Sequence, residues 1–419
     1  MRKNIVVRCP CLTQSGYGEH ARMVLRALRT REDLFDIFII PVGWGQTGWI
    51  FEEDEFRIWM DAQILKTQKY MEQQGQFDIS IQVAIPNEWA HLAPVNIGVT
   101  AGIETTKVAP VWLQKANEMD KIIVVSEHAK WGFENTTYDG QDQNGVSTIL
   151  KLHTPIEVVG YPVREIPAEP NFKLDLDYNF NYLAVGQWSP RKNLENLIRW
   201  WLEECWDEEV GLVVKTSHRK NNVVDREHTW ARLKHLTDSI GLDPEDKKCK
   251  IYLLHGDLTE SEMNSLYKHP KISCMVTTTH GEGFGLPLFE FAQVGKPVVA
   301  PDWSGHLDFL VHNKKNGKKT LGFLPVNYSL EPVQKEAVWD GVLQADSLWS
   351  FAHEGSFKQR IRQVRKSNKW LEKSEKQAEI IAEKFAPDIV NNKFVSCIIN
   401  EDEYEIESWL ESLEIQETE

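Results

Sequence analysis

Nowhere in the 419 residues do about 18 consecutive apolar residues occur, the length a membrane-crossing helix needs. The opening MRKNIVVRCPCLTQSGYGEH holds only a brief apolar run before polar residues, too short for the apolar core of a secretion signal, so a cytoplasmic protein is expected. Cysteine is sparse: Cys9, Cys11, Cys205, Cys249, Cys274 and Cys397 are scattered, without a C-x-x-C pair or a matching histidine spacing. They read as buried free thiols rather than a metal site or a disulfide framework. Low-complexity tracts and short-period repeats are missing too, which argues against a solenoid. An excess of positive charge is also lacking. The formal net charge of -15 speaks against a surface globally attractive to nucleic acid or anionic lipid, although a local basic patch could still bind either. Much of that charge is local, because residues 401–419 carry nine acids and no base, leaving -6 elsewhere; they read as a solvated tail.

What is present points to two domains, since a single hydrophobic core stops growing at about 250–300 residues. Short β-branched runs alternate with longer amphipathic ones, the signature of parallel strands joined by crossover helices. The first series is NIVVRC, FDIFIIPV, FDISIQVAI, NIGVTAGI, KIIVVS and IEVVGYPV. The second is YNFNYLAVGQ, VGLVVKTS, CKIYLLHG, ISCMVTTT, KPVVAP and LGFLPV. Between them REIPAEPNFKLDLDYN, with Pro162, Pro167 and Pro170 in or beside it, reads as a linker. The expectation is an α/β protein of two doubly wound sheets, 1–165 and 166–387. Such sheets bind ligands at the carboxyl ends of their strands, so the two domains are expected to face one another across a binding cleft.

The most informative segment is TTTHGEGFGLPLFEFAQVGKPVVAPD, residues 277–302, where a strand runs through a loop holding Gly281, Gly283 and Gly285 into a helix. Glycines admit close backbone approach, Pro287 suits a first helical turn, and the unpaired N–H groups with the helix dipole favour an anion such as a diphosphate. Glu282 in the loop and Glu290 on the early helix have seven residues between them. A carboxylate on the first helical turns can accept from vicinal ribose hydroxyls, while one in the loop can reach sugar hydroxyls beyond the phosphates. The plainer alternative is that both glutamates merely favour the helix dipole.

HGEGFGLPLFEFAQVGKPVVA resembles the donor-binding signature of the retaining glycosyltransferase family 4, a family of GT-B fold. AVGQWSPRKNLENLI, LLHGDLTESEMNSLY, IIVVSEHAKWGF and GYGEHARMVLRAL resemble further segments of that family, and together they cover most of residues 5–310. The resemblance implies a nucleotide-sugar donor, UDP- or GDP-linked, with Glu290 on the ribose and Glu282 beside the donor sugar. It places the backbone amides of Gly283, Phe284, Gly285 and Leu286 against sugar and phosphate. It also implies a C-terminal helical region, about 388–419, that crosses back to the first domain. Lys192 would neutralise the diphosphate, since a fixed ammonium stabilises the growing charge of the leaving group without a metal. The chain departs from the pattern at Gln187, where many members carry a second phosphate-binding arginine. Arg191, or preferably Lys215 at the end of the next strand, could supply that cation.

On the acceptor side, Gly16 and Gly18 open a loop between strand and helix, with Tyr17 between them; close approach to phosphate or acceptor and a tight structural turn would need the same glycines. VTAGIETTKVAPVWLQKANEMDKIIVVSEHAK resembles a branch of the family in which a glutamate, here Glu104, ends one strand and a serine, here Ser126, ends the next. Glu104 could orient acceptor or sugar. Family membership implies retention of anomeric configuration, the departing phosphate taking the acceptor proton. No metal and no cofactor beyond the donor are expected: the one aspartate pair, Asp175 and Asp177, lies in the linker.

The acceptor stays open between glycan, lipid, protein and modified nucleic-acid base, and oligomeric state is not legible. Arg22, Arg26 and Arg29 fall at helical spacing and could touch anionic membrane; 218–228 and 312–320 are basic stretches that could grip nucleic acid; a solvated face or loop is the preferred reading of all three. Trp44, Trp49, Trp188 and Trp303 in expected loops could stack on sugars or bases. Two further functions fit the same fold: a sugar-nucleotide epimerase or phosphorylase, and a non-catalytic carbohydrate- or nucleotide-binding protein.

Overall fold

The computed structural model describes residues 2–45, 47–141, 146–313, 317 and 319–399; the acidic tail and part of the basic stretch 312–320 lie outside them. The chain divides into two compact units. The first takes the chain up to Gly102, then Val108–Pro162 and the described residues from Phe385 onward; the second takes Ile103–Lys107 and Val163–Lys384.

The first unit is built from β1 (Lys3–Cys9), α1 (Gly16–Arg29), β2 (Phe35–Pro41), α2 (Glu55–Glu72), β3 (Ile79–Val83), β4 (Val95–Thr100), α3 (Pro110–Asn117), β5 (Lys121–Val124), α4 (Glu127–Asn135), the antiparallel pair β6 (Tyr138–Gln141) and β7 (Ser147–Leu150), and β8 (Ile156–Val158). Its sheet runs β2-β1-β3-β4-β5-β8, all parallel. Ile5, Val6 and Val7 are consecutive and fully buried, which a strand shows when helices cover both sheet faces.

The second unit contains β9 (Asn181–Val185), α5 (Leu194–Cys205), β10 (Gly211–Lys215), α6 (Val223–Asp238), β11 (Lys250–Leu254), α7 (Glu260–Lys268), β12 (Ile272–Val276), α8 (Leu286–Gln293), β13 (Val298–Pro301) and α9 (Leu307–Leu310). It continues with β14 (Val311–Asn313) paired to β15 (Lys319–Leu321), β16 (Leu324–Val326), β17 (Tyr328–Pro332) paired to β18 (Leu348–Ala352), α10 (Glu354–Lys366) and α11 (Lys369–Lys384). The parallel sheet runs β11-β10-β9-β12-β13-β16. Leu194, Leu197, Ile198, Trp201, Leu202 and Cys205 form a continuous apolar stripe at helical period, and it is this face of α5 that enters the core.

α12 (Pro387–Ile398) then joins the first unit, where it packs on α1 and buries Val390, Phe394, Val395 and Cys397. Lys121 Nζ donates to the Cys397 carbonyl at 2.6 Å. Ile103–Lys107, expected in the first domain, group with the second unit because local polar contacts hold them there. Thr106 N donates to Leu348 O at 2.8 Å, and Lys107 pairs with Asp346 at 2.6 Å.

Candidate active site

In the second sheet the strand order reverses between β9 and β12, the place where an open parallel sheet leaves a crevice beyond its carboxyl ends. The two loops leaving those strands are tied together. His280 N donates to Arg191 O at 2.8 Å, Thr278 Oγ1 to Asn193 O at 3.0 Å, and Asn193 Nδ2 back to Thr278 O at 3.2 Å. Asn193 takes up the left-handed conformation at the start of α5, a position asparagine tolerates better than most residues.

These ties bring together four charged side chains from three separate segments. Lys192 Nζ lies 2.6 Å from Glu282 Oε1, Arg191 Nη1 3.1 Å from Glu282 Oε2, and Arg191 Nε 3.3 Å from Glu104 Oε1. Glu282 is only 6% exposed. Burial alone would raise its carboxyl pKa, but the Lys192 and Arg191 charges outweigh that and hold it at about 2. The same burial pulls the Lys192 ammonium down despite its partner, whereas Glu104 and Glu282 more than restore the Arg191 charge. Two cations and two anions give a cluster with no net charge. A helix start favours an anion, so any such preference here comes from the amides opening α8 and not from the net charge of the cluster.

A small pocket lined by Lys192, Glu282, Gly285, Pro287 and Leu288 opens at this point. Gly285, in the left-handed region at φ 93°, is the residue before α8, and its carbonyl accepts from Phe289 N at 2.9 Å. The Phe284 side chain turns away from the loop into the core, against Phe289 and Phe309, so only the main chain of this residue could serve a ligand. Glu290 accepts from the Tyr267 hydroxyl at 3.0 Å; burial and this carboxylate both keep the phenol protonated, well above its usual range.

The sequence reading missed what lies beneath the cradle. Ser304 Oγ accepts from Glu282 N at 2.8 Å, and Gly305 N donates to Glu282 O at 2.9 Å. A Cβ on Gly305 would stand 1.9 Å from Gly283 O, so the two loops can pass this closely only with glycine there. Buried His306 donates from Nε2 to Pro301 O at 2.8 Å, and buried His280 donates from Nδ1 to Ser350 O at 2.6 Å while lying flat on Trp349. Burial lowers both histidine pKa values, consistent with neutral props. Only the short W-S-G-H run signalled this support in the sequence.

Other expected residues take different positions. Gln187 is exposed and donates to His218 O at 2.9 Å. Lys215 donates to the Gly256 carbonyl, on the loop beyond β11, so Arg191 rather than Lys215 is the second cation of the cluster. Nearby, Asp225 gathers the backbone amides of His218, Arg219 and Lys220 at 2.7–3.0 Å together with His255 at 2.7 Å, and these donors lower its pKa strongly against burial. The basic stretch 218–228 is therefore a loop, 218–222, wound around a carboxylate on the first turn of α6, followed by the start of that helix. Trp188 is buried in the core of the second unit rather than standing in an open loop, and Trp303 Nε1 donates to Glu104 O at 3.3 Å. Asp177 is bound to Lys250 and Tyr252. Among the described residues no group of three or more His, Cys, Asp or Glu could hold a metal ion, and no helix is long and apolar enough to cross a membrane.

In the first unit, Ser126 is fully buried, and its hydroxyl caps α4 by accepting from Ala129 N at 3.2 Å. Gly18 is needed by the turn, since a Cβ would stand 2.1 Å from Thr13 O, whereas Gly16 borders open space. Tyr17 bonds Thr100 Oγ1 at 2.8 Å and stacks on Trp44. The arginine stripe is engaged internally: Arg22 is buried against Cys11 O, Thr13 O and Glu19, Arg26 pairs with Glu19, and Arg29 with Glu55.

No protein-family description matches the chain, and no curated protein matches it by sequence. Solved structures do match in fold. HepE from Anabaena, in complex with UDP and glucose, aligns with a TM-score of 0.56 at 12% identity over 95% of this chain and 99% of that one. Sucrose-phosphate synthase from Thermosynechococcus elongatus gives 0.60 at 11% over 94% and 98%, and a glycosyltransferase from Rickettsia africae 0.58 at 12% over 95% and 99%. The likeness is one of fold: the chain has the two-sheet α/β fold of the GT-B glycosyltransferases.

Proposed function

We propose that the protein is a retaining, metal-independent glycosyltransferase of family 4 type, moving a sugar from a UDP- or GDP-linked donor to an acceptor hydroxyl. The observation that carries this reading is the convergence of Lys192, Arg191, Glu282 and the start of α8 where the second sheet reverses, with Glu290 further along the same helix. In this reading amides of Gly283 to Leu286 face sugar and diphosphate, and Glu290 accepts from the ribose hydroxyls.

Lys192 starts bound to Glu282 and shifts towards the diphosphate as the bond between the sugar's anomeric carbon and the phosphate oxygen breaks. Glu282 is then left to hold sugar hydroxyls, while Arg191, fixed by Glu104, supplies the positive charge that Gln187 lacks. The acceptor oxygen bonds to the anomeric carbon on the face the phosphate leaves, and the departing phosphate takes the acceptor proton. Such a site works by alignment and electrostatics, without a protein nucleophile. The fold shared with a protein solved with UDP and glucose supports the choice of donor class.

The test is incubation of the pure protein with UDP- and GDP-sugars, EDTA and pooled acceptors, read by mass spectrometry. A glycosylated acceptor in the presence of EDTA is expected. Absence of donor binding and hydrolysis with every sugar nucleotide would overturn the reading, and a sugar-nucleotide isomer formed without acceptor would replace transfer by epimerisation.

A further inference from the structure

The loop from Val42 to Asp54 of the first unit has a feature the donor site does not account for. Its described residues between β2 and α2 form no helix or strand, yet the loop is anchored at its far end. Trp49 bridges Thr13 in antiparallel fashion, Gln14 N donates to Gly48 O at 2.8 Å, Ile50 N donates to Leu12 O at 2.9 Å, and Arg57 Nη1 holds Ile50 O at 2.8 Å. The loops after β1 and β2 thus share a short ribbon at the carboxyl edge of the first sheet. On this ribbon Trp49 is 55% exposed and Phe51 72% exposed. Earlier in the same loop Trp44 stacks on Tyr17 with centroids 4.0 Å apart and planes at 25°, and Tyr17 bonds Thr100.

Large rings held in water by an ordered backbone lose apolar contact energy unless something covers them, so such a patch marks a binding surface. The charge around it selects the occupant. Glu52, Glu53, Asp54 and Glu55 follow Phe51 without a break and all four are exposed; Asp54 caps α2 by accepting from Arg57 N at 2.7 Å and Glu55 pairs with Arg29, which leaves Glu52 and Glu53. The arginines within reach are already paired: Arg29 with Glu55, Arg57 with Asp61 and Arg26 with Glu19. An aromatic edge backed by the carboxylates of Glu52 and Glu53 repels nucleic acid, phosphate-bearing polymers and anionic bilayers. It accepts the C–H face of an uncharged sugar ring, whose hydroxyls can donate to the neighbouring carboxylates.

We propose that Trp49 and Phe51, on the same loop as the Trp44 that stacks on Tyr17, bind a neutral saccharide. This saccharide site does not rest on the transfer reading above.

Saturation-transfer NMR on the full chain tests it, with maltotriose, cellotriose, chitotriose and lactose as neutral probes. An oligothymidylate and phosphatidylglycerol vesicles serve as anionic ones, and UDP affinity is measured by calorimetry in parallel. The expected result is transfer to at least one neutral probe, falling about five-fold or more in Trp49→Ala and in Phe51→Ala, as loss of about 1 kcal/mol of stacking requires. Melting temperature and UDP affinity should stay unchanged in both variants. No signal from any neutral probe, equal signals in the variants, or binding confined to the anionic probes would each overturn the proposal. So would self-association that Trp49→Ala abolishes, which would make a second copy the occupant. Saccharide binding without UDP binding would instead sink the transfer reading and leave this site standing.

Discussion

Glu282→Gln isolates the charge of one carboxylate while keeping its shape. In the native protein the two neighbouring cations bring the Glu282 pKa from 4.5 to about 2. At 1.36 kcal/mol per unit that difference amounts to about 3 kcal/mol of stability at pH 7, and the side chain is too well buried for solvent screening to reduce it much. Because the folded-state pKa is the lower one, the contribution is complete above pH 4.5 and drains away as pH falls towards 2. By pH 3 it should have shrunk to about 1.4 kcal/mol. For a unit of this size, about 3 kcal/mol corresponds to a melting-temperature loss of roughly 6–12 °C. Calorimetry of wild type and variant at pH 7 and pH 3 measures both numbers. A difference below about 1 kcal/mol at pH 7, or one that does not narrow in acid, would refute the claim that Lys192 and Arg191 clamp a buried carboxylate.

Glu290→Ala should weaken UDP binding by about 1–3 kcal/mol by leaving ribose hydroxyls unpaired, with Tyr267→Phe having a smaller effect, both read by titration calorimetry. Lys192→Met should lower turnover more than donor affinity, since its charge is needed most as the leaving group departs; equal losses in single-turnover and binding assays would contradict this. Gly305→Ala must push the loop at Gly283 aside and should abolish UDP binding with a loss of several kcal/mol in unfolding free energy. Asp225→Ala should leave three amides without their acceptor, so hydrogen exchange at His218, Arg219 and Lys220 should accelerate while exchange in β12 stays slow.

The architecture was readable because it is written in local patterns. Runs such as NIVVRC and GLVVK have the length and β-branched content of strands buried on both faces, and they form β1 and β10. The Gly-rich loop before Pro287 announced α8 and where it starts. Pairings between distant segments were far less accessible. That Glu104, from a short run at 103–107, would meet Arg191, or that Ser304 and Gly305 would support Glu282, depends on loops separated by tens to hundreds of residues, and no periodicity encodes their approach. Lys215 shows the same limit: its position at a strand end was apparent, but whether its ammonium turned towards β9 or towards Gly256 depended on neighbours contributed by another strand. Ser126 stands at the end of β5, and a serine immediately before a helix also has the task of capping it, which it performs on α4.

The placement of α12 has a consequence for biogenesis. The first unit receives the helix that covers α1 only after residues 387–398 have left the ribosome, by which time every segment of the second unit has already emerged. The unit translated earliest is thus the one completed last, and for most of elongation the apolar side of α1 awaiting α12 is a natural client surface for a holdase chaperone. A nonsense codon just ahead of residue 387 should accordingly release a polypeptide whose later-made half is intact and whose earlier-made half is marked for degradation.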